Sequence, residues 1–93
     1  MKTVFDIIDA VLRNYFGNEI DHPEFLAKLG NNYGIKFERF VSILCDPVKP
    51  MYSSRRTIRD KWKLLHELGY LVAVNQRASR IDIPRIYQDF YAE

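Results

Sequence analysis

Cysteine is almost absent from this chain. Cys45 stands alone, which excludes an internal disulfide framework and a cysteine-based zinc site. Histidine is nearly as scarce. His22 and His66 lie far apart with no ligand spacing around either, so no metal is expected. No apolar run approaches the roughly 20 residues that cross a bilayer, so no membrane partner is expected. There is no Gly-rich phosphate loop and no Ser-His-Asp or Cys-His grouping, so neither a cofactor nor an enzymatic activity is expected. Asp6 with Asp9, and Asp21 with Glu24, are acids near helix starts, where the macrodipole favours them. Cys45 follows an apolar run and reads as buried and inert. Met1–Thr3 lead straight into an amphipathic pattern, so no secretory leader and a cytoplasmic location are expected. Excess charge is lacking too. The net charge of +2 argues against a purely nonspecific chromatin-type binder.

What remains is an ordinary soluble chain of 93 residues, 47% apolar and 28% charged, read as one domain over 1–93. A core of that size is marginal alone, and a partner subunit would help it. Six Tyr and six Phe suit a dense small core or an interface. The charge is unevenly spread. Residues 1–46 hold five Lys/Arg against seven acids, giving −2. Residues 47–93 hold nine against five, giving +4. A basic half facing a polyanion fits this asymmetry.

The most informative stretch is 53–71. Ser53 or Ser54 can cap a helix, and Gly69 can end it. Ile58, Trp62 and Leu65 recur at helical spacing with Leu68 beside them, giving an apolar face. The other face carries Arg55, Arg56, Arg59 and Lys63, crowded into the first turns and largely unpaired within the helix. Cations at a helix N-terminus oppose the macrodipole at a cost of a few tenths of a kcal/mol or more. A phosphate would offset that cost and bind the free N–H groups of the first turn. The alternative is a solvated face with no ligand. Trp62 at this spacing reads as core.

Elsewhere, residues 3–16 read as a helix capped by Thr3, with an apolar arc wider than one small core requires. It either packs on two sides within the monomer or meets a second subunit. Gly17-Asn18 ends it, Asp21 caps the next helix, and Pro23 sits in that helix's first turn. Gly30–Gly34 is a breaker cluster, and 35–45 form a third helical segment. Asp46–Pro50 contains two prolines and is a loop. After Gly69 the period changes to two. Residues 70–74 and 79–83 read as a hairpin around Asn75–Ala78, with Arg77 and Arg80 at its tip. Pro84 opens a short last segment with apolar pairs among Ile86, Tyr87, Phe90 and Tyr91.

Ser54-Arg55-Arg56-Thr57-Ile58-Arg59, then Trp62, Leu64-Leu65 and Leu68-Gly69-Tyr70-Leu71, then a hairpin, resembles the winged helix-turn-helix DNA-binding proteins over about 35–83. The expected fold is mainly α with a small β-hairpin: three to four helices, a two-stranded wing and a short C-terminal helix. Asp46–Tyr52 lengthen the turn before the basic helix beyond the family's usual three or four residues. The resemblance implies a recognition helix in the major groove and a wing along the backbone or minor groove. It puts Ser54, Arg55, Arg56, Thr57, Arg59, Asp60 and Lys63 on the groove-facing side. Arg56 and Arg59 would read guanine, each discriminating by about 1–3 kcal/mol. Arg55 and Lys63 would hold phosphates. Asp60 would accept from cytosine or, as favoured, orient Arg56 or Lys63. Arg77 and Arg80 would be wing contacts.

The resulting expectation is a sequence-specific binder of double-stranded DNA, acting as a small homodimeric transcriptional regulator. Residues 3–16 and the tail Tyr87, Phe90 and Tyr91 would form its dimer contact. The alternative is a winged-helix protein-interaction adaptor in a replication or transcription assembly.

Overall fold

Helix α1 (Val4–Phe16) turns Ile7, Ile8, Val11 and Leu12 inward, the i, i+1, i+4, i+5 spacing of one buried stripe. The computed structural model describes residues 4–92, with Pro23 placed by its backbone alone, so the expected Thr3 cap lies outside the described residues. Gly17 ends α1 at φ +64°, a left-handed conformation that side chains with a Cβ resist. A 3₁₀ turn (Gly17–Asp21) buries Ile20, and α2 (Pro23–Lys28) buries Leu26. Asp21 does not cap α2. His22 holds the N-cap position with no side-chain hydrogen bond, and Asp21 accepts from the Arg13 guanidinium at 2.6 Å. Arg13 also donates to Asp9 at 2.9 Å, so one guanidinium binds α1 to the turn that follows it.

The breaker cluster leads into a strand, β1 (Gly34–Lys36), where a helix was expected to start. Helix α3 (Phe37–Leu44) begins only after it and buries Phe40 and Leu44. Helix α4 (Arg55–Glu67) is capped by Ser54, whose hydroxyl accepts from the Thr57 N–H. Gly69, at φ +86°, turns the chain into β2 (Leu71–Ala73), which returns through residues 74–77 as β3 (Ala78–Ile81). The sheet has three antiparallel strands in the order β1-β3-β2, rather than the two expected. Ile35 faces Ser79 across one ladder, and Leu71 faces Ile81 across the other. Ile35, Leu71, Ser79 and Ile81 are buried on the inner face.

Residues between α3 and α4 do not separate the helices by their full length. The N–H groups of Met51 and Tyr52 both donate to the Leu44 carbonyl, at 2.9 and 3.1 Å. Cys45 Sγ donates to the Tyr52 carbonyl at 3.3 Å and is half-buried. Asp46 folds the intervening residues by accepting from the N–H groups of Val48 and Lys49. The loop therefore closes on itself, and α4 starts close to where α3 stops.

Asp82 caps α5 (Ile83–Ile86), which widens into one π turn over Tyr87–Tyr91. That tail lies on α1. The Phe5 ring is 5.7 Å from those of Phe90 and Tyr91, and the Tyr91 hydroxyl donates to Asp9. Tyr70 meets Phe90 at 5.2 Å and donates to Asp89 at 2.6 Å. The wide apolar arc of α1 is thus partly covered within the chain, with Phe5 still 37% exposed. The two surfaces expected to form the dimer contact touch each other within the chain. The result is a helix-dominated fold with a small antiparallel sheet, and none of its described helices is long and apolar enough to cross a membrane.

Candidate nucleic-acid interface

Strand β1 fixes where α3 begins. Its last residue, Lys36, pairs with Ala78, and the next N–H, of Phe37, donates to the Arg77 carbonyl at 3.1 Å. The hairpin tip and the start of α3 therefore form one wall. Asn75 shapes the tip by accepting from the N–H groups of Arg77 and Ala78. The opposite wall is α4. Trp62 sets the spacing between them, with its ring 5.4 Å from Phe37 and 5.1 Å from Phe40. The open groove so formed has a volume of about 790 Å³.

Five cations line this groove: Lys36 from β1, Arg55, Arg59 and Lys63 from α4, and Arg77 from the hairpin. One acid, Glu38, stands against them. Arg55 and Arg59 lie over the Phe37 ring at 5.2 and 5.7 Å. Such stacking restrains a guanidinium while leaving its N–H edge available. Arg55 also donates two hydrogen bonds to Glu38: Nη1 to Oε1 at 3.1 Å, and a shorter one from Nη2 to Oε2. Arg55 holds the Glu38 carboxyl below its usual range by that hydrogen bond, and the Arg59 charge adds to the effect. Among the described residues no ion pair engages Arg56, Arg59, Lys63 or Arg77.

The expected site residues separate into three groups. Arg55, Arg59, Lys63 and Arg77 come together in the groove. Ser54 caps α4 beside it, and Thr57 is half-buried on the flank. Arg56 and Asp60 are exposed on α4, one turn apart and outside the groove's lining. Arg80 is not brought to the groove. It pairs between Gly34 and Val72, on the face of the sheet opposite Ser79 and Ile81. Lys36, Asn75 and Gln76 line the groove and were not singled out in the sequence. For Lys36 the exposed-buried-exposed pattern of Gly34, Ile35 and Lys36 was the only local signal, and for Asn75 and Gln76 it was their place in the turn between the two strands.

A hydrogen-bonded histidine locks the wall of α4 to the sheet. His66 Nδ1 lies 2.7 Å from the Trp62 carbonyl, which can only accept, so Nδ1 carries a proton. Nε2 lies 2.5 Å from the Ser79 hydroxyl on β3. In the neutral ring Nε2 accepts that hydroxyl's proton in a hydrogen bond. Ser79 is buried, so this Ser-His contact is closed to substrates. Among the described residues no group of His, Cys, Asp or Glu has the arrangement of a metal site. Comparison of the chain with protein-family models, with curated proteins and with solved structures gives no match.

Proposed function

We propose that this chain is a winged helix-turn-helix protein that binds double-stranded DNA, with α4 as recognition helix and the β2–β3 hairpin as wing. The observation that carries the reading is the convergence of five cations from three separate elements on one open groove. Such a groove fits a polyanion, and with Arg55 engaged by Glu38 the other four cations give a log–log salt slope of about −3.6. The succession of α3, a closed loop, α4 and hairpin supports the architecture. The exposed side chains of Arg56 and Asp60 project from α4 where base edges would be read, Arg56 on guanine and Asp60 orienting it. A regulator of transcription is the role this would serve. Fluorescence anisotropy with a random-sequence duplex across a salt series tests it. Binding without salt dependence, or no binding at low salt, would sink the reading.

One observation favours the adaptor as a second reading. β2 is an edge strand, and Val72 within it and Val74 just after it are 37% and 67% exposed. An apolar sheet edge is a surface for pairing with another chain. It is also a surface that a homodimer would use, since most of the α1 arc is covered. Light scattering at tens of micromolar, with Val74→Lys as control, reads this directly. A monomer in both samples removes the dimer.

A further inference from the structure

We propose that Glu38 sets the specificity of the groove by holding the Arg55 guanidinium in the place of a backbone phosphate. The inference rests on the nucleic-acid reading above. Glu38 engages Arg55 through both carboxylate oxygens and both terminal guanidinium nitrogens. That two-point fork is the geometry in which Arg takes a phosphate. A duplex backbone can use Arg55 only by displacing Glu38.

The position of Glu38 is not explained by stability. Its side chain is 72% exposed and that of Arg55 51% exposed, and ion pairs this wet contribute little to folding. An acid in the first turn of α3 suits the macrodipole, but it need not reach across to α4 for that. What the placement does accomplish is local. It puts the groove's one acid on the Arg at the N-terminal end of α4, where free N–H groups and positive charge would otherwise attract any phosphate. Backbone affinity is sequence-independent and drives nonspecific binding. Holding back one cation and adding one repulsive charge weakens that part. Contacts of α4 to base edges are unaffected, so the ratio of specific to nonspecific binding rises.

The test is a titration of random-sequence duplex across salt with the full chain, Glu38→Gln, Arg55→Ala and the double variant. A selection from a random duplex pool by the full chain and by Glu38→Gln runs beside it. Glu38→Gln is expected to bind random duplex severalfold tighter, with a slope steeper by about 0.9, one more phosphate neutralised. Most of that gain is expected to be lost in the Arg55→Ala background, because Arg55 is the group released and only the smaller relief of repulsion remains. The Glu38→Gln pool is expected to be less enriched in any motif. Unchanged affinity and slope in Glu38→Gln would overturn the proposal while the binding reading stands. A gain that survives fully without Arg55 would reduce Glu38 to general repulsion and overturn it as well. Equal enrichment of the two pools would remove the specificity role. Absence of duplex binding by all four proteins at every salt would remove the binding reading, and this proposal with it.

Discussion

His66 on α4 and Ser79 on β3 are joined by a 2.5 Å hydrogen bond, and it sets the angle between the basic helix and the hairpin. Ser79 is 2% exposed, so water cannot replace its hydroxyl without opening the sheet. Ser79→Ala leaves Nε2 of His66 with no partner, at a cost of about 1–3 kcal/mol. Urea unfolding should show a lower midpoint at unchanged m-value. Amide exchange should rise first in β2 and β3. A midpoint equal to that of the parent would mean that the contact contributes nothing.

Gly69 and Gly17 offer a matched pair. Both have positive φ, +86° and +64°. An alanine in either position incurs the left-handed backbone cost, about 1–2 kcal/mol. At Gly17 nothing lies within 4 Å of the added Cβ. At Gly69 the Cβ would meet the Arg85 guanidinium at 3.0 Å. Arg85 would have to give by a few tenths of an ångström, against the Tyr70 ring that it covers at 5.7 Å. Gly69→Ala should therefore destabilise more than Gly17→Ala in thermal or urea unfolding. Equal losses would show that Arg85 moves without cost.

Helix α4 was legible because all its determinants are local. Ser54, the Ile58/Trp62/Leu65 spacing and Gly69 all lie within it or next to it. β1 was not legible. Three residues with one buried side chain leave no periodicity to read, and the partner strand lies far along the chain. Missing β1 also hid Lys36, which only strand pairing carries to the hairpin tip. Arg55 looked unpaired because Glu38 is 17 residues away and on another helix. The apolar arc of α1 and the aromatic tail were both visible as unpaired faces. Their meeting is a consequence of topology, since the tail reaches α1 from the far end of the chain.

Alkaline pH should loosen that tail. Burial, then the nearby Asp9 charge, pushes the Tyr91 hydroxyl well above its ordinary value of 10.0. The hydrogen bond to Asp89 raises Tyr70. For a raised acid the native state holds its proton when the unfolded chain has released it. The stabilisation is therefore complete below pH 10 and is lost as pH rises above it. Urea midpoints should be flat from neutrality to about pH 9 and fall beyond pH 10. Tyr91→Phe should fall less steeply, since the residue no longer titrates. Parallel curves for the two proteins would refute the assignment.

The groove predicts which cations matter to a duplex, and it differs from the sequence expectation at three positions: Lys36 is added, Arg80 is left out, and Arg59 moves from a guanine to a phosphate contact. Lys36 and Arg59 come from different elements and face the same space. Lys36→Ala and Arg59→Ala should each weaken binding of a random duplex and flatten the log–log slope by about 0.9. The double variant should lose about twice that, because two independent phosphates are given up. Arg80 lies across the sheet from Ser79, away from the groove's lining. Arg80→Ala should leave both affinity and slope unchanged. Arg56 is exposed on α4 outside the groove. Its loss should therefore change which sequences are selected more than how salt acts. If Arg80→Ala weakened binding as much as Lys36→Ala, the wing would contact nucleic acid through its outer face. α4 would then have to approach from a different side.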